Sequence, residues 1–543
     1  LEAGGEWESL FSEKAGRRVK DALLSYLRGR RWFEGRAHQP RALRILDAVP
    51  FDYGSGKSAR LLLLRVEYLD AAPESYLLPV SCACAEEAER IRQANPFSVI
   101  ANLQARTGKG AGCFALFDAA ADPSFCSALL AALRRGARLK GRSGEVLMSP
   151  SPGLAAAPES GLQPSPAKVE QKNTTITFGD SLVLKLFRRI ESGSSPDVEI
   201  GRFLSKKGFR QSPSLEGEIA YRCRSDEPWT LAVLHGYVPN RGDAWQFTLD
   251  SLRRYFEETL AAPPVPQERL GLVNDPLALI DRDPDPLAVE RIGSYLETAR
   301  LLGRRTAELH LALASETGDP AFAPEPFTEL SQRAIHQSMR NRALDAMDLL
   351  RQRLATLPQP HRPEAQALLG RESEILQRLK ALTGAKLSGS RIRCHNDYHL
   401  KQLLYTGADF QIFDFEGPAD RALQVRRVKR SPLRDAACML RSFHFAAYTV
   451  LLGRVGVSRA EDVPLLEPPA RFWYQWVSSS FLRSYLKSAE AGSFLPKTRK
   501  EMDLMLRVLL LERALEELRS EVVSHPDWAI LPLKGAAQLL EDR

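Results

Sequence analysis

Nowhere do the 543 residues approach the roughly 20 consecutive apolar residues that a membrane-spanning helix requires. Residues 1–7 carry no charged segment followed by an apolar core, so they do not read as a secretory signal. They also lack an initiating Met, and the chain is expected to be trimmed or cut from a longer polypeptide. Cysteine is scarce. The seven, Cys82, Cys84, Cys113, Cys126, Cys223, Cys394 and Cys438, are odd in number and scattered, with no CxxC pair. Cys82-Ala83-Cys84 has no second pair at zinc-ligand spacing. This excludes a disulfide scaffold and a zinc module, and predicts free thiols in a reducing, cytoplasmic compartment. Excess charge is also small. Lys and Arg number 75 against 67 Asp and Glu, a net +8 that reads as a solvated Arg-rich surface. No aromatic residues are interleaved with the basic ones, so neither nucleic acid nor membrane is an expected partner. Internal repeats are absent as well.

What is present is an ordinary globular composition, 44% hydrophobic and 26% charged. The length implies roughly three or four units of about 100–200 residues each. Residues 17–29 carry the apolar spacing of a helix, and strand-like runs follow at 42–49, 61–69 and 75–80. This first unit, 1–105, holds no convergent set of acid, base and ligand residues and reads as a cap. A strand is expected at 112–116 and a helix near 124–139. The five prolines of 149–166 predict a loop or linker. A strand, polar turn and returning strand are expected over 169–178, then an apolar strand at 181–188 interrupted by Lys185. A Lys in a buried pattern needs an anionic partner. Glu199, on the helix opened by Pro196, is the partner the spacing suggests. The second unit, 106–239, closes with a strand at 229–235 running into Gly236, Tyr237 and Val238, where backbone groups would meet an adenine. The third, 240–543, is mostly helical, with helices expected near 288–316, 329–356, 362–383, 432–454, 467–488, 499–523 and 534–542.

The most informative stretch lies inside that helical region. Residues 393–417 place His395, Asp397, His399 and Gln402 on one loop, then a turn at Thr406-Gly407, an apolar strand, and Asp414 with Glu416 at its end. That layout suits phosphoryl transfer to a small molecule. One carboxylate, Asp397, receives the proton of an attacking hydroxyl, while the amide oxygen of Gln402 and the carboxylate of Asp414 hold Mg2+ on ATP phosphates. Glu416 either adds to that shell or faces solvent. His395 is expected to organise the loop by bonding backbone near Asp414 rather than act as a base, and His399 either to pack locally, the favoured reading, or to contact substrate; both histidines are candidate substrate-site residues, with Arg513, Glu516 and Glu517. The basic run 426–435 reads by default as a solvated face. Asp435, at a helix start, reads as a buried ion-pair partner for a nearby Arg.

These motifs resemble those of the bacterial maltokinases, including the forms fused to the C-terminus of trehalose synthase. The resemblance covers most of the chain. It is carried by Arg31-Trp32-Phe33, Gln171-x-Asn173-Thr174, 184–188, 196–204, Val238-Pro239-Asn240-x-Gly242-Asp243-Ala244-Trp245, 302–310, 322–328, the His395–Gln402 loop, 414–417 and 429–435. It implies an α+β, eukaryotic-protein-kinase-like fold of two lobes, related to aminoglycoside phosphotransferases, with an N-terminal cap and a mostly helical C-lobe. It implies transfer of the ATP γ-phosphate to the anomeric hydroxyl of maltose, giving maltose 1-phosphate for α-glucan synthesis from trehalose, with trehalose synthase as a fused or associated partner. The turn Gln171, Asn173, Thr174 and Thr175 would cover the phosphates without any glycine. The resemblance also has departures. Asn396 stands where the family usually has Gly, and Glu34-Gly35-Arg36 where it has Gly-Gly-Lys. On the late sugar-binding helix Arg513, Glu516, Glu517 and Ser520 stand where Lys, Tyr, Glu and Tyr are usual. The two missing tyrosines open the alternatives of another sugar or an amino sugar as acceptor. A third alternative is a catalytically silent module that scaffolds or regulates trehalose synthase.

Overall fold

The computed structural model describes residues 2–3, 7–11, 16–54, 56–105, 115–156, 162–167, 169–223, 227–273, 276–418, 420–454 and 459–541. The chain divides into two compact units, Leu1–Ser205 with Pro213–Pro239, and Lys206–Ser212 with Asn240–Arg543.

The first unit is built on two antiparallel sheets. Helix Arg17–Arg28 buries Val19, Leu23, Tyr26 and Leu27, the i, i+4, i+7, i+8 stripe that its sequence spells, and stops at Gly29. The adjoining sheet runs Pro40–Asp52, Ser58–Tyr68, Glu74–Ala83, Ala115–Asp118, Val99–Asn102, with Arg189–Ile190 also pairing to Glu74–Ala83. Leu61 to Leu64 are all buried, as befits a strand covered on both faces. Strand Ala115–Asp118, which the sequence reading places in the second unit, hydrogen-bonds into this cap sheet. The earlier part of that expected strand, 112–114, lies outside the described residues, as does Cys113. Cys82 is disulfide-bonded, which corrects the expectation of free thiols throughout. The other described cysteines are free.

The second sheet runs Pro164–Pro166, Thr174–Phe178, Leu182–Leu186, Trp229–Gly236, Leu215–Cys223, Gly144–Pro150, Arg138–Lys140. The proline-rich stretch is therefore not simply a linker. Gly144–Pro150 is a strand, Pro152–Ala156 a short helix and Pro164–Pro166 an edge strand, a place where a missing N–H is tolerated. Residues 157–161 of the stretch lie outside the described residues. The arm paired with Thr174–Phe178 is Pro164–Pro166, not the run beginning at Val169. The buried carboxylate of Asp47 joins the cap strand to the second sheet. It accepts from the N–H groups of Arg142, Ser143 and Gly144 and from the Tyr221 hydroxyl.

The second unit is a helical assembly around Leu433–Leu451, in which every residue except Phe445 is buried. Apolar side chains on all faces make it the central helix. Helix Tyr295–Leu313 packs on Val463–Ser488 so closely that a Cβ on Gly303 would lie 2.3 Å from the Phe481 carbonyl. Two patterns read as single helices are divided, at 286–292 and 295–313 and at 362–369 and 372–380. A small hairpin, Leu403–Tyr405 with Phe410–Ile412, carries the loop residues. Among the described residues no helix is long and apolar enough to cross a membrane.

Candidate active site

In the second unit the 393–402 loop is anchored from beneath. The Asp435 carboxylate, fully buried on the first turn of the central helix, accepts from the backbone N–H groups of His395 (2.8 Å) and Asn396 (2.9 Å). It also meets His310 Nε2 at 3.1 Å. Its partner is thus a His and two amides rather than an Arg. Burial pushes the Asp435 pKa up, but the His310 hydrogen bond and the neighbouring donors outweigh burial and hold it below the usual value. Asn396 takes φ +67°, a left-handed conformation that Asn tolerates better than most residues and that Gly adopts freely. His395 Nε2 lies 2.9 Å from the Phe413 carbonyl and ties the loop to the residue before Asp414.

The hairpin sets the other pair. Phe413 N–H donates to the Gln402 carbonyl, continuing the Leu403↔Ile412 register, so Gln402 and Asp414 flank its open end. Asp414 also takes φ +67°. Carboxylate oxygens of Asp414 and Glu416 lie within 4.8 Å of each other. Glu416 is buried, which rules out its solvent-facing reading. Carboxylate and amide oxygens are the donors that Mg2+ prefers, so Gln402, Asp414 and Glu416 fit such an ion.

Asp397 projects from this loop beside an imidazole and a guanidinium. His399 Nε2 lies 3.5 Å from Oδ2, and Arg513 Nη2 lies 3.4 Å from Oδ1. Burial raises its pKa, but the His399 hydrogen bond and the charges of His399, Arg513 and His395 overcome this and hold the carboxyl well below the usual carboxylate range. Asp397 is ionised at neutral pH. His399 therefore partners Asp397, where local packing was favoured over contact with substrate.

Helix Arg499–Ser524 brings Arg513, Glu516 and Glu517 to one cluster. Glu516 meets Arg342 (2.7 Å), Arg434 (3.0 Å), Arg421 and Arg513 (3.7 Å). With its lone pairs so engaged, Glu516 has little capacity left for a sugar hydroxyl. Glu517 pairs with Arg441 at 2.8 Å and with Arg513 at 3.4 Å. The basic run 426–435 is not a solvated face either. Arg434 and Lys429 are buried, and Lys429 Nζ donates to the carbonyls of Pro320 and Ala323 and meets Glu325 at 2.9 Å.

The first unit holds the remaining residues. Lys185 sits mid-sheet, paired with Thr175 on one side and Val233 on the other. Its Nζ lies 3.3 Å from Asp197 Oδ2, a carboxylate the sequence reading passed over in favour of Glu199, two residues along the same helix. Burial raises the Asp197 pKa, but the Lys185 charge and a contact from His235 bring it well below the usual range. Gln171, Asn173, Thr174 and Thr175 border a 70 Å³ cavity with Trp32 and Arg188. Arg188, also missed, donates to Thr174 Oγ1 at 2.7 Å and to Asp118 at 2.6 Å under the Trp32 ring, which fixes one end of the turn. Glu170, at its other end, meets Arg30 at 2.9 Å. The N–H groups of Gly236 and Tyr237 donate to the carbonyls of Ser214 and Ser181, so neither N–H is open to an adenine ring nitrogen.

Residues 26–122 match the maltokinase N-terminal cap domain. A glucosamine kinase of Streptacidiphilus jiangxiensis is 24% identical over 381 residues, 69% of this chain and 73% of that protein. One of Mycolicibacterium smegmatis (strain ATCC 700084 / mc(2)155) is 24% identical over 383 residues, 69% and 79% respectively. A solved glucosamine kinase in complex with glucosamine, ADP and inorganic phosphate superposes with a TM-score of 0.60 at 19% identity, covering 99% of this chain and 100% of that one. The chain has the glucosamine kinase fold. The maltokinase resemblance read from the motifs is supported by the cap and by these relatives, and the kinase-like α+β architecture with an N-terminal cap is what the structure shows.

Proposed function

We propose that this protein is an ATP- and Mg2+-dependent sugar kinase whose acceptor is an amino sugar of the glucosamine class. The observation that carries the kinase reading is the 395–416 constellation, an ionised Asp397 on a loop locked by Asp435, beside a hairpin that flanks Gln402 and Asp414. The acceptor hydroxyl gives its proton to an Asp397 carboxylate oxygen, which Arg513 and His399 keep ionised and aimed. Lys185, oriented by Asp197 with Glu199 on the same helix, neutralises phosphate charge. The turn Gln171, Asn173, Thr174 and Thr175 covers the phosphates. Gln402, Asp414 and Glu416 would hold Mg2+, which supplies charge neutralisation on the transferred group. Arg513 and Glu517, with His399, border the acceptor.

The amino-sugar reading rests on the relatives named glucosamine kinase and on a helix without the aromatic hydroxyls usual for a disaccharide site. A second reading, maltose to maltose 1-phosphate with trehalose synthase as partner, is favoured by the cap match. ADP release measured with glucosamine, N-acetylglucosamine, glucose and maltose separates them. The proposal expects glucosamine to be turned over fastest. Turnover of maltose without glucosamine would establish the second reading, and no turnover with any sugar would leave only a scaffolding module.

A further inference from the structure

The central helix Leu433–Leu451 reaches the surface at one position, and the residue there is a Phe. Phe445 lies between two indoles that are themselves half-buried. Its ring centroid is 6.1 Å from Trp245, at an interplanar angle of 54°, and 6.1 Å from Trp528, at 16°. Trp245 stands on the first turn of helix Ala244–Ala261, and Trp528 on the turn Pro526–Trp528 that follows helix Arg499–Ser524. Three separate elements of the second unit thus bring rings to one partly exposed aromatic shelf. The shelf adjoins the residues that border the acceptor. Arg441 pairs with Glu517 at 2.8 Å, and Phe445 and Glu521 lie one turn further along the same two helices. One turn is about 5.4 Å, the scale of a single sugar ring. On the other side, Tyr405 N–H donates to the Gly242 carbonyl and Asp243 pairs with Leu404, which ties the start of the Trp245 helix to the strand after Gln402. Lys401 sets its Nζ 5.3 Å from the centroid of the Trp245 ring. Glu521 feels the charges of Glu517 and Lys401, and burial raises its pKa against the pull of His525 at 3.3 Å.

We propose that this shelf is a second sugar subsite, where a further pyranose ring of the acceptor lies against Phe445 and Trp528 while its hydroxyls bond Lys401 and Glu521. The proposal rests on the sugar-kinase reading of 395–416 and extends the acceptor from a single amino sugar to a disaccharide that contains one. The C–H face of a pyranose matches flat aromatic surface, and a few polar groups beside that surface fix the ring's orientation. A purely apolar occupant would strip water from Lys401 and Glu521 and return no hydrogen bond to either. Half-buried aromatic rings in one contiguous patch next to a substrate site are the kind of surface that marks a ligand groove.

The test is calorimetric binding to the full chain of glucosamine and of β-1,4-galactosyl glucosamine, the same ring bearing a second one. The disaccharide should bind about tenfold more tightly. Trp528→Ala should bring that ratio to about one through loss of disaccharide affinity, and Trp528→Phe, which keeps a flat ring, should retain the preference. Phe445→Leu, which stays apolar and loses the ring, should show the same loss and covers the case in which Trp528→Ala does not fold. Equal binding of the two sugars by the parent, or a preference as large in both ring-deleting variants as in the parent, overturns the proposal, as does binding of neither. Glucose and maltose measured alongside separate the shelf from the amino-sugar reading. Maltose held more tightly than glucose, with no binding of glucosamine, supports the shelf and removes that reading. Glucosamine and its disaccharide held equally removes the shelf and leaves the reading standing.

Discussion

Replacing Asp435 by Asn changes no volume and removes one charge, so its effect isolates the hydrogen bonds that hold the 393–402 loop. Asp435 Oδ1 accepts from Asn396 N–H, while Oδ2 accepts from His395 N–H and faces His310 Nε2. An Asn has one acceptor oxygen, and in either orientation its NH2 opposes a buried backbone N–H. Each buried donor left unmatched costs about 1–3 kcal/mol, and a hydrogen bond to a charged group is worth about 1.5–3 kcal/mol. Together they predict a local loss of about 3–5 kcal/mol. Native-state hydrogen exchange of the peptide spanning 393–400 reads that loss directly. Protection at His395 and Asn396 should fall by about 10²-fold to about 4 × 10³-fold, since every 1.4 kcal/mol is tenfold. The exposed control Asp348→Asn should leave the same amides within about threefold. Unchanged protection in Asp435→Asn, or a change no larger than in the control, would show that the loop is held by something else.

Asn396→Gly should keep the melting temperature close to the parent, whereas Asn396→Val, forcing a β-branched residue to positive φ, should destabilise by about 1–3 kcal/mol in urea unfolding. Asp197→Asn breaks a buried ion pair. It should destabilise the first unit by about 3 kcal/mol and weaken ADP binding by calorimetry, whereas unchanged ADP affinity would remove Lys185 from the phosphate site. The pKa values of Asp197, Asp397 and Asp435 are all depressed on folding, so their stabilisation is present above the unfolded value near pH 4 and is lost as pH falls through the lower folded values. Melting temperature should therefore hold from pH 7 to about 5, and the gap between parent and Asp435→Asn should narrow below about pH 4.

Elements with local signals were legible in the sequence. The amphipathic helix at 17–28, the leucine strand at 58–68 and the hairpin around Thr406-Gly407 follow from spacing within one segment. That Asp397, Gln402 and Asp414 share one loop and hairpin was legible because one short stretch carries them all. What escaped depends on distant partners. Asp197 and Glu199 share the first turn of one helix, and only the placement of that helix on the sheet brings Asp197 to Lys185. Arg188 finds Asp118 across 70 residues. Glu516 is enclosed by arginines 82, 95 and 174 residues away, so a residue that looks like a sugar ligand in sequence is an ion-cluster member in space. The prolines of 164–166 were read as breakers because edge position, which makes them acceptable, is a property of the sheet.

The central claim is that Asp397 accepts the proton of a sugar hydroxyl during transfer from ATP. Turnover of glucosamine and maltose by the parent and by Asp397→Asn, with ADP affinity measured alongside, tests it most directly. The account predicts a fall in kcat of about 10²–10⁴-fold with nucleotide affinity retained. Residual turnover within tenfold of the parent would contradict it.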